Sequence, residues 1–446
     1  MSETQHHSQF RLLISPRFLP LFVTQALGAF NDNIFKNALV ILITYSAAAN
    51  LEGIDTQTLV ALAGGIFILP FFLFSPTAGQ FADKLPKAGL IRKVKLFEIL
   101  IMIAAAVGFA LEAPVMLLTV LFFMGAQSAI FGPLKYGILP ELLEEDELVG
   151  GNALIETATF LVILIGTLLG SLIVLRAYGL TVVSILCIGV AALGWLTSRQ
   201  IPDRPAASPG MKINYNFVSE TFHMIRFGYR DLPIFRSIIG ISWFWLVGSV
   251  FIILFPVFSR GVLSGNEQIV AMLLTIFSIG IGIGSLLCDK LLGGKVRDYY
   301  VPVGALGITI FSADLFFASE PLLATRTGEF IGIMAFLSLP ENWRIVGDLF
   351  GIAICGGLYI VPLYAILQAR SEPHYRARLI AVNNVLNALA MVGASGFIFW
   401  LSDEGLSIPA IFLAIGLLNI PVTLYVSFVV ITTAVKRVAK KLGSMS

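Results

Sequence analysis

Five polar side chains stand together in the oily stretch "AFNDNIFKNALV", residues 29–40: Asn31, Asp32, Asn33, Lys36 and Asn37. An Asp or Lys at the centre of a membrane helix costs about 2.5–3.5 kcal/mol on insertion scales, while each large aliphatic residue returns roughly 0.3–0.6. A helix beginning near Phe18 would put Asp32 about 21 Å in, slightly past the midplane of a hydrocarbon core of about 30 Å. Gln25, Gly28, Asp32 and Lys36 share one stripe by their three- and four-residue spacing, with Asn33 and Asn37 on its adjoining edge. A charge at that depth normally faces a water-filled cavity or a partner. One reading is a cavity wall suited to a zwitterionic cargo, since each charge would meet its opposite. The other is that Asp32 and Lys36 neutralise each other or lock the helix to a neighbour.

Lys135 and Glu156 form a second constellation. They fall at similar depth on consecutive antiparallel spans, so an ion pair is expected, either as a fixed bridge or as a gate that meets an anionic group. Gly132 and Pro133 would let the first of these spans bend. Asp83 with Lys84 and Asp289 with Lys290 sit at equivalent span ends and read as a conformational latch, holding helix ends together in one state only. Asp314 reads as a lone buried acid. Asn383, Asn384 and Asn387 are cheaper to bury and read as interhelical glue or cavity lining. Trp243 and Trp245, near the start of a span, read as interfacial anchors or as the lining of an acyl-chain path.

Other chemistries lack residues. No nucleotide-binding loop is present. The four histidines, at 6, 7, 223 and 374, lie outside the spans, with no Ser–His–Asp or Cys–His set and no metal cluster. The chain is expected not to be an enzyme and to use no cofactor or metal. Cys187, Cys288 and Cys355 all sit in apolar stretches and read as small buried hydrophobes. Basic residues are spread over short loops, which argues against nucleic acid.

The elements that must position these groups are membrane helices. Only 13% of the 446 residues are charged, where a soluble domain carries about a quarter, and mean hydropathy is +0.90. Apolar runs are too long for barrel strands, which take about 9–11 residues. Twelve spans are expected: 18–47, 57–80, 92–112, 114–139, 149–175, 179–199, 234–259, 267–289, 300–318, 347–369, 377–401 and 407–434. "SAAANLE" after the first span resembles a signal cleavage site, but the run before it is too long for a signal core and carries Asp32 and Lys36. Of 29 Lys and Arg residues, 23 fall on the side shared by both termini, Lys95 among them, and only Arg176, Arg260, Arg326 and Arg344 on the other. The positive-inside rule puts both termini in the cytoplasm.

The organisation expected is a cytoplasmic N-terminus (1–17), a six-helix bundle (18–199), a linker (200–233), a second six-helix bundle (234–434) and a basic tail (435–446). In the linker, Phe217, Val218, Phe222 and Ile225 recur at helical spacing ahead of Arg226 and Arg230, which predicts an interfacial amphipathic helix. On the outer side, 319–346 holds the apolar "FIGIMAFLSLP", too short to span and read as interfacial or re-entrant.

The two halves repeat. "GQFADKLPKAG", with Gly79, Asp83 and Lys84, matches "GSLLCDKLLGGK", with Gly284, Asp289 and Lys290. "PLKYGILPEL" matches "PLYAILQAR", and Asn152 with Glu156 matches Asn383 with Asn387. Duplicated halves mark secondary transporters that rock around a central site.

"GQFADKLPKAG" resembles the loop signature of the major facilitator superfamily. "AFNDN", "FGPLKYGILPEL", "LVGGNALIETATF", "GSLLCDKL" and "VPLYAILQ" are more specific, and together nearly the whole chain resembles the lysophospholipid transporter family. The resemblance implies an all-α major facilitator fold of twelve helices in a bacterial inner membrane. It also implies flipping of lysophospholipids, such as lysophosphatidylethanolamine, from the outer to the inner leaflet for reacylation. It carries over Asp32 and Asn33, Lys135 and Tyr136, and Asn152 and Glu156 as headgroup or gate residues. In two respects this chain departs from the family: it stops at a Lys-rich tail with no acyltransferase domain, so an acyltransferase partner would be a separate protein, and its outer segment is longer. Two further readings stand beside the flippase: a proton-coupled exporter or importer of a soluble amphiphile such as a drug or siderophore, with Asp32 carrying the proton, and a non-transporting scaffold that docks an acyltransferase.

Overall fold

A computed structural model describes residues 8–45, 55–324 and 330–428. Helix is the only regular structure long enough to matter among them, as expected where a backbone in lipid must satisfy its own hydrogen bonds; one isolated bridge joins Gly265 to Ile331. The helices are α1 (Leu19–Tyr45), α2 (Thr56–Lys84), α3 (Lys87–Ala110), α4 (Pro114–Leu142), α5 (Leu148–Ile173), α6 (Gly179–Ser198), α7 (Phe217–Gly228), α8 (Leu232–Gly261), α9 (Glu267–Leu292), α10 (Val301–Ser319), α11 (Ile333–Leu337), α12 (Asn342–Arg370), α13 (Arg376–Asp403) and α14 (Ile408–Val426). Eleven of these are long and apolar enough to cross a membrane. Helix α3 is a twelfth long helix, whose first half carries Lys87, Arg92, Lys93, Lys95 and Glu98.

Local sequence sets the helix ends. Asp55, Asn216, Asn266 and Ser407 each accept a backbone N–H of the first turn of α2, α7, α9 and α14. Gly293, at φ 58°, closes α9 in the left-handed conformation that glycine adopts without a Cβ clash.

Two compact units result. The first takes in Met1–Asp231 and Gln368–Ala388, the second Leu232–Leu367 and Leu389–Ser446. In the first, α1 lies close against α5: a Cβ on Gly166 would stand 2.8 Å from the Phe30 carbonyl oxygen, so only glycine permits the approach. Phe35 packs on Phe109 with ring centroids 5.6 Å apart, within an apolar core that includes Leu117 and Met124. In the second, Phe251 stacks on Phe412 at 4.6 Å, with Phe255, Phe258 and Phe277 around them.

Several boundaries differ from expectation, with consequences for charge. Helix α3 starts at Lys87, not 92, so Lys95 lies two turns inside it and is fully buried instead of standing at the cytoplasmic surface. Helix α12 starts at Asn342, which brings Arg344 onto its first turn beside the end of α10. Asp314 is therefore neither lone nor buried: its side chain is 40% exposed, and Arg344 forks onto both carboxylate oxygens at 3.0 and 2.5 Å. Helix α8 starts at Leu232, so Trp243 and Trp245 lie well inside it and not at its end. The described parts of 319–346 form a 3-10 turn (Glu320–Ala324) and short α11; the Ile331 backbone exchanges hydrogen bonds with the Ser264 carbonyl and the Asn266 N–H. His6 and His7, "SAAANLE", Arg326 and the basic tail lie outside the described residues.

Candidate functional site

The polar stretch of α1 divides between two environments. Asn31 turns inward, where its Nδ2 donates to Glu98 Oε1 at 3.0 Å. Glu98 holds Lys95 Nζ at 2.5 Å, and both side chains are at most 1% exposed. Gln127 of α4 donates to Glu98 Oε2 at 3.0 Å. Gly28 sits directly beneath the Lys95 ammonium, which a Cβ there would displace. A buried ion pair persists only where further hydrogen bonds satisfy both groups, and the two amides supply them for Glu98.

Asp32 and Lys36 stand beside this network and are partly exposed. Asp32 accepts the Ser128 hydroxyl at 2.5 Å, and Ser128 lies 3.2 Å from Gln127 Oε1. Lys36 Nζ lies 5.5 Å from the centre of the Phe67 ring. Among the described residues neither Asp32 nor Lys36 forms an ion pair within 4.0 Å, although each lies within electrostatic reach of the other. The shared stripe also splits, since Gln25 is 1% exposed and accepts a hydrogen bond from Thr159 Oγ1 at 3.1 Å. Asn33 bonds back to the Ala29 carbonyl, and Asn37 donates to Thr167 Oγ1 of α5 at 3.1 Å.

The expected Lys135–Glu156 bridge is replaced by a three-part arrangement. Tyr136 OH donates to Glu156 Oε1 at 2.6 Å, and Lys135 Nζ lies 4.3 Å over the Tyr136 ring. Glu156 is fully buried and its Oε2 has no hydrogen-bond partner among the described residues. Lys135 is partly exposed and within electrostatic reach of both Glu156 and Asp32. The side chain next in sequence to the lysine thus donates to the acid, and among the described residues the ammonium forms no ion pair within 4.0 Å.

Asp83 is fully buried at the end of α2. Its carboxylate accepts the Ala377 and Arg378 backbone N–H groups at 3.1 and 3.3 Å and pairs with Arg378 Nε at 3.3 Å. This is an acid on a helix N-terminus, the favourable end of the α13 dipole. Gly79 allows the approach: a Cβ there would lie 2.7 Å from Ala381 Cβ and 2.9 Å from the Ala377 carbonyl oxygen. Lys84 is half-buried; buried Lys87 instead salt-bridges Glu141 at 2.6 Å. Nearby, Asn152 and Gln368 exchange reciprocal amide hydrogen bonds at 2.7 and 3.0 Å. In the repeated motif Asp289 is buried and Lys290 exposed, and Gly284 lies against the α12 backbone at Ile354.

Asn383 is fully buried with neither amide atom hydrogen-bonded among the described residues, Asn384 packs on Gly132, and Asn387 is 7% exposed. In the second unit, Trp243 Nε1 donates to Asn419 Oδ1 at 2.7 Å, tying α8 to α14. Phe244, Val247, Gly248, Phe277, Ile281 and Gly356 line a small apolar crevice nearby.

Sequence reasoning missed Lys95, Glu98, Gln127, Ser128, Gln368 and Arg378. For the first pair a signal existed: Ile91, Lys95, Glu98 and Met102 recur at four, three and four residues, which puts both charges on an otherwise apolar, buried stripe.

Three comparisons bear on this arrangement. The chain is 29% identical over 402 residues to a protein called lysophospholipid transporter LplT from Enterobacter sp. (strain 638), covering 88% of this chain and 91% of the relative. It is 27% identical over 396 residues to the protein of that name from Escherichia coli O1:K1 / APEC, covering 88% and 90%. Among solved structures, the human organic anion transporter MFSD10 (TETRAN) superposes with a TM-score of 0.69 at 14% identity, over 92% of this chain and 99% of that one. The transporter FucP superposes with a TM-score of 0.69 at 12% identity, over 93% and 99%. The model of the Major Facilitator Superfamily matches residues 21–350. With eleven helices among the described residues long and apolar enough to cross a membrane, the chain is a multi-pass membrane protein that belongs to the Major Facilitator Superfamily.

Proposed function

We propose that this protein flips lysophospholipids such as lysophosphatidylethanolamine from the outer to the inner leaflet of a bacterial inner membrane, by alternating access between two six-helix bundles. The observation that carries the reading is the set Asp32, Lys36 and Lys135. All three are partly exposed, and among the described residues none is committed to an ion pair within 4.0 Å. A carboxylate held by a neutral hydroxyl is ready for a headgroup ammonium, and two ammonium groups resting on aromatic rings are ready for its phosphate. The likeness to proteins called lysophospholipid transporters supports the same cargo.

Asp83 and Gly79, with Arg378, serve in this reading as the latch. The carboxylate fits the α13 N-terminus and the guanidinium at once, so the contact is strong when made and lost as a unit when α13 moves. Both termini lie in the cytoplasm, and an acyltransferase that uses the delivered lysolipid would be a separate partner.

Reconstitution tests the proposal. Labelled lysophosphatidylethanolamine is placed in one leaflet of liposomes, and its movement is followed with and without a proton gradient. Movement that requires the protein is expected. No movement under either condition sinks the flippase reading, and movement strictly dependent on the gradient favours a proton-coupled transporter.

A further inference from the structure

Helix α7 presents three faces. Glu220, Met224 and Gly228, four residues apart, are buried. Val218, Phe222, Ile225 and Tyr229 form an apolar stripe: Val218 is 48%, Phe222 68% and Tyr229 61% exposed, and Ile225 is half-buried. His223, Arg226 and Arg230, all exposed, run beside that stripe. An apolar stripe bordered by arginines is the pattern of a helix lying in a membrane interface, and arginine beside the headgroups favours anionic lipid. With eleven helices among the described residues long and apolar enough to cross a membrane, the bilayer surface is the partner of matching chemistry and charge.

The buried face reaches the latch. Glu220 Oε1 lies 3.6 Å from Arg378 Nη1, and Arg378 Nε lies 3.3 Å from Asp83. Tyr375 sits between them: its ring lies 4.7 Å from the Arg378 guanidinium and 4.4 Å from the Phe227 ring of α7. The segment leading into α7 is tied to the same end of α2. The Gln80 side chain exchanges two hydrogen bonds with the Asn214 backbone at 2.8 and 2.7 Å, and the Ser208 N–H donates to the Asp83 carbonyl at 2.8 Å.

We infer that α7 is an anionic-lipid clamp on the latch: docked on a surface rich in anionic headgroups, it holds Glu220 on Arg378 and keeps Asp83 seated on α13. This rests on the latch reading above but not on the identity of the cargo. Two measurements on the full chain in nanodiscs of phosphatidylcholine, with or without phosphatidylglycerol, test it. Buried Cys187 and Cys288 are left in place and Cys355 is replaced by serine. In the first, an environment-sensitive dye on Phe222→Cys reports docking. Its emission is expected to shift to the blue and to be quenched from the lipid phase, more so with phosphatidylglycerol; water-like emission in both compositions overturns the docking. In the second, Ser371→Cys reports the latch, because Ser371 is 1% exposed in the turn between α12 and α13. Maleimide labelling is expected to slow several-fold with phosphatidylglycerol. E220Q and the double variant R226Q/R230Q are expected to label at the faster rate in both compositions. Equal rates for the parent in both compositions overturn the coupling. Asp83→Asn separates the two layers of the argument: if it fails to speed labelling, the latch itself is refuted, and the clamp with it. Neither measurement requires lysolipid to move, so a failed cargo reading leaves both interpretable.

Discussion

At the scale of residues, the first unit keeps its buried charges by two different means. Lys95 and Glu98 are fully desolvated and satisfied by each other and by the amides of Asn31 and Gln127. Asp32, Lys36 and Lys135 are partly exposed residues whose direct contacts are a hydroxyl and aromatic rings, with other charges at longer range. The first pair is therefore structural, and removing one partner strands the other, at a cost of about 3–5 kcal/mol. Glu98→Gln is expected to lower thermal stability in detergent strongly, and Lys95→Met added to it to recover part of the loss, because the stranded, desolvated ammonium is then removed. A double variant less stable than Glu98→Gln alone would contradict this assignment. The sequence made Asp32 and Lys36 conspicuous because each interrupts an apolar run. Lys95 and Glu98 lie near a span end, where charges are ordinary, and only their register with Ile91 and Met102 sets them apart.

At the scale of elements, helices and their order were readable because apolar runs in lipid have one regular structure open to them. Contacts between helices were less so. The Gly79–Asp83 motif led to the expectation of a latch, but the groups that meet Asp83 are backbone N–H groups of α13 and Arg378, which no spacing within α2 reveals. The linker helix was legible from its period, whereas the buried role of Glu220 depends on which face α7 turns toward α13. Gly79 gives an element-scale test. A valine there would drive Cγ atoms into Ala377 and Ala381 without altering any charge. Gly79→Val is expected to speed labelling of Ser371→Cys several-fold, as loss of the latch would; unchanged labelling would mean that close packing of α2 on α13 does not hold the segment shut.

At the scale of the whole molecule, we propose from the duplicated motifs and the uneven spread of basic residues that the termini share one side of the membrane. The asymmetry survives the removal of buried Lys95 from the count, since the opposite side keeps only four basic residues. With an even number of crossings both termini share a compartment. Epitope tags at the two ends are expected to be cleaved by protease only in inside-out vesicles; protection of one tag and not the other would refute an even number of spans.

The central claim is that the open charges of the first unit hold a lysophospholipid headgroup during transport. Asp32→Asn tests it most directly, because it removes the negative charge while preserving the contact with Ser128. In liposomes carrying labelled lysophosphatidylethanolamine in one leaflet, the account predicts a rate at least about tenfold below the parent's, equivalent to roughly 1.4 kcal/mol of lost stabilisation, with folding and thermal stability retained. A variant that moves the lipid at the parent's rate would contradict it and return Asp32 to a structural role.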